Sequence, residues 1–325
     1  MSESEEPKGD LSPAGDVAPK QETHLVDAPP GGEDEAASEA APKPARTFSK
    51  TPLFTASNAA RYQRQAIIKD LEQRTGRTLL CFVGGNEAPI HRDDTVAFMD
   101  LVHNVVAGER IDLMLHTVGG DIDVAEKLIT LARAKVGEGG DIRVIVPDFA
   151  KSAGTLMALG ANSILMSDSS ELGAIDPQFY LKDANGNEIC HSVLRYLAAF
   201  RDHADALKKN RDDPVALLMM DKFDPSLVQK FQGIRDRARD LAENLLKRRG
   251  KHFSKIASEL MNIDIWKSHN QMIGAQDAKS LGLDVEVIAP EDPVWQGVWQ
   301  LHCLLRLAIT PRQKIYESSY VSLPI

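Results

Sequence analysis

The feature that most constrains this 325-residue chain is an alternation, between residues 78 and 166, of short wholly apolar runs with longer amphipathic ones. Residues 78–83 (TLLCFV) are apolar and stop at Gly84-Gly85. Residues 111–116 run up to a turn holding Gly119-Gly120, residues 142–146 are closed by Pro147, and residues 163–166 form a fourth run. Short apolar runs bounded by glycine or proline read as buried strands. The stretches between them read as helices: 59–73 with mixed charge, then 93–106 with Val96, Phe98, Met99, Leu101, Val102 and Val105 on an apolar face. Ile122, Ala125, Leu128, Ile129 and Ala132 recur at helical spacing, and 152–161 is rich in small residues. A β-α-β-α-β order predicts parallel strands joined by right-handed crossovers. Strands without a polar alternation predict helices on both faces of the sheet.

Beyond Pro177 the pattern changes. Residues 183–188 are polar and turn-rich, and 192–209 and 226–248 read as helices. In the second of these, Leu227, Phe231, Ile234, Ala238, Leu241 and Leu245 mark a stripe fit for a core or an interface. Residues 295–309 read as a last apolar helix. At the other end, residues 1–46 carry eleven acidic against four basic residues and seven of the 17 prolines, with few large apolar side chains. Such a segment buries too little surface to offset its ordering entropy, so 1–46 is expected to be a disordered acidic tail. The expected organisation is this tail, a folded domain over 47–290 and a helical extension over 291–325.

Composition removes several classes of function. The net charge is −9, whereas a sequence-independent nucleic-acid binder needs a basic face. Cys81, Cys190 and Cys303 are far apart, which excludes a disulfide framework and a cysteine-rich zinc site. No apolar run is long enough to cross a bilayer, and the first residues lack the apolar stretch of a secretory signal. A cytoplasmic location is expected. There is no dinucleotide-binding GxGxxG turn and no Walker A sequence.

Two turns carry candidate chemistry. HTVGGD (116–121) and AKSAGT (150–155) each follow a strand and open a helix. Paired glycines let the backbone approach a ligand and leave amides unblocked. A serine at a helix start is ordinarily an N-cap. Beside unpaired amides it is also placed to act as a nucleophile whose oxyanion those amides hold. In an open parallel sheet both turns fall on the carboxyl edge, where ligands bind. Among the other residues, Asp121 and Asp123 are explained by the helix dipole, and His116 reads as a satisfied core or loop histidine. Asp176 reads first as a turn residue before proline and second as a group that orients a catalytic side chain.

The segments HTVGGDIDVAEKL, KSAGTLMALGA, SSELGAIDPQ and, later, SHNQMIGAQDAKSLGL resemble the serine dehydrogenase proteinase family. Its relatives are signal peptide peptidase A and the Clp protease proteolytic subunit. The resemblance covers residues 75–290 and implies a ClpP/crotonase-like spiral of β-β-α units around a parallel sheet, with C-terminal helices appended. It implies a serine peptidase that needs no metal or cofactor, acts on peptides or proteins and assembles as a homo-oligomer. Ser152 matches the nucleophile, and the amides of Gly119 (or Gly120) and Ala153 match the oxyanion hole.

The general base departs from the Clp protease pattern. Ser169 stands near the position of that family's histidine, and Asn270 near that of its acidic residue. Signal peptide peptidases use a lysine, for which Lys208 and Lys209 are nearest by spacing; Lys151, adjoining the nucleophile, is discounted. His269 is preferred, because a neutral imidazole suits a base near pH 7. A chain that kept the fold but lost the base, serving as a scaffold, is a second reading. Acyl-CoA chemistry on the same fold is a third.

Overall fold

The alternation is realised in the computed structural model of the chain, which describes residues 49–182, 185–249 and 252–325. The expected tail, 1–46, lies outside the described residues. Helices α1 (Pro52–Ser57) and α2 (Ala59–Thr75) lead into β1 (Thr78–Gly84). Then come α3 (Asp94–Leu101), β2 (Arg110–His116), α4 (Ile122–Val136), β3 (Asp141–Ile145) and the two-residue β4 (Phe149–Ala150). Next are α5 (Ala153–Leu159), β5 (Ser163–Met166) and the two-residue β6 (Glu171–Leu172). A hairpin of β7 (Gln178–Lys182) and β8 (Glu188–Ser192) precedes α6 (Val193–Lys209), α7 (Pro214–Met220) and α8 (Pro225–Leu246). The remainder is α9 (Phe253–Leu260), α10 (Ala275–Ser280), β9 (Val285–Val287), α11 (Pro293–Leu307), β10 (Lys314–Glu317) and β11 (Ser322–Pro324).

The main sheet has the order β11-β10-β1-β2-β3-β5-β9. From β1 to β9 every pairing is parallel. Side chains alternate across it. Leu80, Phe82, Leu113, Leu115 and Val144 face a core closed by α3, α4, α5 and α8. Cys81, Val83, Met114, Ile145 and Leu165 face a second core with residues of α2 and α11. Both faces being covered, the strands have no polar alternation, as their sequence requires. The α8 stripe is intramolecular: Ala238, Leu241 and Leu245 join the first core, while Phe231 packs with Val193 and Leu197 of α6.

The chain also builds a small second layer at the carboxyl edge, which gives the fold its β-β-α character. Thr117 pairs with Ala150, β4 pairs in parallel with β6, and Leu172 pairs with Ile273. Ile90 bridges to Gly120 at the other end of this row. Each of β1, β2, β3 and β5 is therefore followed by a short second rung.

Two expectations are corrected. The helical face over 93–106 is shorter than its pattern, because α3 stops at Leu101 and Val96 and Met99 are 77% and 38% exposed. Only Ala97, Phe98 and Leu101 of this eight-residue helix reach the core. The C-terminal extension over 291–325 is helical only in α11. The chain then returns as β10, antiparallel to β1, and β11 adds a further edge strand. Polar ends made β10 illegible as a strand, yet all four of its residues are buried. Lys314 Nζ lies 2.7 and 2.8 Å from the Asp94 carboxylate on α3, and Glu317 lies 2.8 Å from Arg64 Nε on α2. The hairpin β7–β8 flanks the predicted 183–188 loop, of which residues 183 and 184 lie outside the described residues.

Candidate active site

Ser152 joins the second layer to α5, and its backbone is the exception of the molecule. With φ 50° and ψ −115°, it is the one non-glycine among the described residues with positive φ. Such a conformation costs about 1–3 kcal/mol and persists only where surrounding bonds over-determine it. Those bonds are present. Lys151 N donates to Thr117 O (3.0 Å), Gly154 N to Lys151 O (2.7 Å) and Leu156 N to Ser152 O (3.2 Å). The Thr155 hydroxyl donates to Ala150 O at 2.8 Å and accepts from Gly173 N at 3.0 Å, tying the serine turn to the Leu172-Gly173 turn. The N-cap reading of Ser152 fails: its side chain makes no capping hydrogen bond. Its hydroxyl has no partner among the described residues, and the residue is half-buried.

The glycine pair sits against this turn. Gly119 has φ +97°, and a Cβ there would lie 2.8 Å from Ser152 Cβ and 2.7 Å from Lys151 O. Gly120 has φ +140°, and its Cβ would strike the Ile90 backbone at 2.4 Å. Both positions exclude a side chain on conformational and on steric grounds. Ile90 acts as a strap, its N–H donating to Gly119 O (2.6 Å) and its carbonyl accepting from Asp121 N (3.0 Å). Because a trans peptide points its C=O and N–H in opposite directions, the Gly120 N–H faces away from Ile90. It has no acceptor among the described residues, and neither has the Ala153 N–H. The Gly119 N–H is engaged by Thr117 Oγ1 at 3.1 Å. Asp121 caps α4 as expected, accepting from the amides of Asp123 and Val124.

The segment carrying His269 returns to this edge. Asn270 O lies 3.5 Å from Lys151 Nζ, and Leu172 and Ile273 exchange both backbone hydrogen bonds. His269 does not hydrogen-bond to Ser152. Its Nδ1 lies 3.2 Å from Gln178 Nε2 and 3.9 Å from the carboxylate of buried Asp176. Gln178 Nε2 also donates to the Asp176 carboxylate (2.9 Å), which orients the amide with its NH2 toward the histidine. His269 Nδ1 is then an acceptor, and the neutral ring carries its proton on Nε2. Burial holds its pKa below the ordinary histidine value, against the opposing pull of Asp176. Asp176 also accepts from Ser192 Oγ at 2.6 Å, so its second reading, an orienting group, is the one the geometry favours. Its burial was not visible in the IDPQ motif, which carries turn signals.

The lysine candidates divide clearly. Lys151 is buried, and its ammonium meets Glu171 at 2.5 Å and Leu172 O at 3.2 Å. Lys208 and Lys209 are exposed at the end of α6, Lys208 paired with Asp205 at 2.7 Å.

A strained serine beside a glycine-paired turn, on a β-β-α frame, agrees with what comparison with known proteins finds. The family model of the ClpP-like SDH-type serine proteinases matches residues 56–324. The chain belongs to that family. Two uncharacterized proteins of Methanocaldococcus jannaschii are relatives of this SDH-type proteinase. MJ0137 is 28% identical over 240 residues, covering 70% of this chain and 75% of that protein. MJ1495 is 23% identical over 238 residues, covering 70% and 73%. Among solved structures, two forms of the 1510-N membrane-bound stomatin-specific protease are similar, each at 18% identity. A serine-to-alanine mutant aligns with a TM-score of 0.40 over 65% of this chain and 80% of that one. A lysine-to-alanine mutant in complex with a substrate peptide aligns with a TM-score of 0.35 over 60% and 66%. In this SDH-type proteinase no helix among the described residues is long and apolar enough to cross a membrane.

Proposed function

We propose that the chain hydrolyses peptide bonds through an acyl-enzyme on Ser152. The observation that carries this reading is the strained, unpartnered serine held against the Gly119-Gly120 turn. Ser152 Oγ attacks the scissile carbonyl carbon and the C=O electrons move to oxygen. The amides of Gly120 (or Gly119) and Ala153 hold that oxyanion. The C–N bond then breaks, the serine proton passing through the base to the leaving amine, and water releases the acyl group. His269 is the base in this reading, oriented by Asp176. It reaches Ser152 once Gln178 yields its bond to Nδ1 and the proton shifts to that nitrogen.

The reading extends to a cytoplasmic homo-oligomer acting on peptides or proteins, with residues 1–46 as a solvated acidic tail. A second reading rests on the absent Ser152–His269 bond and on the Lys151–Glu171 pair: a scaffold subunit with a silent site. Intact mass after incubation with a fluorophosphonate, on wild type and Ser152→Ala, separates them. A single adduct on wild type alone supports the peptidase. An unreactive, well-folded wild type in its assembled state supports the scaffold.

A further inference from the structure

The carboxyl edge holds a second cluster, on the opposite face of the sheet from the α4–α5 core. His116 ends β2, Asp148 lies between β3 and β4, and His302 projects from α11. Their potential ligand atoms all lie within 4.8 Å of one another. His116 Nδ1 is 3.7 Å and His302 Nε2 3.9 Å from the same oxygen, Asp148 Oδ2. The two histidines are 0% and 4% exposed, with ring centroids 4.7 Å apart. They are not the satisfied histidines that sequence reasoning expects. Both ring nitrogens of His116 and Nδ1 of His302 lack a hydrogen-bond partner. Buried polar atoms are rarely left so, and each costs about 1–3 kcal/mol when they are.

His116 packs on the Phe149 ring and His302 on the Trp299 ring, but neither histidine hydrogen-bonds to Asp148, since 3.7 and 3.9 Å are too long. Two imidazoles and a carboxyl group are donors of the kind that hold divalent transition ions. Arg306 opposes a cation here, but its guanidinium is directed to Gly84 O and Asn86 Oδ1. A tetrahedral ion with bonds of about 2.1 Å sets its ligand atoms about 3.4 Å apart. The two histidine–carboxylate spacings, 3.7 and 3.9 Å, lie within about 0.5 Å of that value. The partly exposed Asp148 provides the entry path.

We propose that His116, Asp148 and His302 form a three-ligand site for a divalent transition ion of the zinc type. Two imidazoles and one carboxylate, without thiolate, suit Zn²⁺ and its spectroscopic substitute Co²⁺. The site is separate from the serine chemistry, which needs no metal. Its effect is to fasten α11 to the residue before Thr117, whose backbone and hydroxyl hold Lys151, Phe149 and Gly119. The ion thereby stiffens the rung on which both catalytic turns rest.

The test uses the full chain, stripped with a chelator and titrated with Zn²⁺ by calorimetry, beside Asp148→Asn and His302→Gln. The expected result is saturable uptake of one equivalent and a melting temperature that rises with Zn²⁺. Co²⁺ should give a visible absorption band that Zn²⁺ displaces. Each variant should lose affinity by more than about tenfold while retaining the metal-free far-ultraviolet spectrum of wild type. Asp148→Asn changes a partly exposed, isosteric side chain, so it reports even if His302→Gln fails to fold. Absence of saturable binding to wild type, or binding equal in wild type and Asp148→Asn, overturns the assignment.

Discussion

The two edges of the main sheet are built from opposite principles. At the amino edge, charge is buried and fully answered. Arg77 and Asp112, 5% and 2% exposed, meet at 2.6 Å, and Arg77 also reaches Asp141 at 2.5 Å and Ile111 O at 2.8 Å. Arg143 grips the same Asp112 with two bonds of 2.9 and 2.8 Å and reaches Glu286 at 2.8 Å. At the carboxyl edge, groups find no partner among the described residues: the hydroxyl of a positive-φ serine, two amides and three nitrogens of two buried histidines. Parallel strands thus carry their stability at one end and their reactivity at the other. The other buried unpaired side-chain atoms among the described residues belong to Arg61, Tyr316 and Glu317, on α2 and β10.

Mutations should split along this line. The largest expected effect is Ser152→Ala, which removes peptide hydrolysis by about 10⁴-fold or more. It leaves the melting temperature unchanged, since no cap is lost; steady-state rates with a peptide substrate alongside a thermal melt check both halves. Asp112→Ala should do the reverse. It strands two guanidiniums and costs about 3–5 kcal/mol in urea unfolding, while kcat/KM per folded molecule stays at the wild-type value. A loss of activity in folded Asp112→Ala would break the separation of the edges.

His269→Gln should lower the rate by about 100-fold. The sign of the pH dependence follows from burial. A base works when neutral, and a lowered pKa keeps His269 neutral as pH falls through 6.5, so the wild-type acid limb should lie below that value. The variant should lose that limb; an unchanged pH–rate profile would remove His269 from the mechanism. The smallest effect is a gain. Ser152→Gly relieves a positive φ and should stabilise the fold by about 1 kcal/mol. Equal or lower stability would mean that the turn is not strained as its dihedral implies.

Legibility in the sequence followed the range of the interactions. The parallel sheet and its helices were readable because burial on both faces writes an unbroken apolar run locally. Ser152 and Gly119-Gly120 were readable because turn chemistry is local as well. β10 was not, because Lys314 and Glu317 look like surface residues until their partners Asp94 and Arg64 are brought across the fold. The surroundings of His269 were hidden for the same reason: Gln178 and Asp176 meet it only through the antiparallel return at Ile273. His116 was misjudged because the expectation of satisfaction is statistical, and this side chain is an exception to it.

The strand that locks β1 is made late. Arg64 and Asp94 are buried on opposite faces of the sheet, and their counter-charges, Glu317 and Lys314, follow 253 and 220 residues afterwards. During synthesis, at about 5–20 residues per second, the segment holding Ser152 is therefore made well before the counter-charges of Arg64 and Asp94. The two buried ion pairs that fasten β10 to α2 and α3 can thus form only after the Ser152 segment has been made.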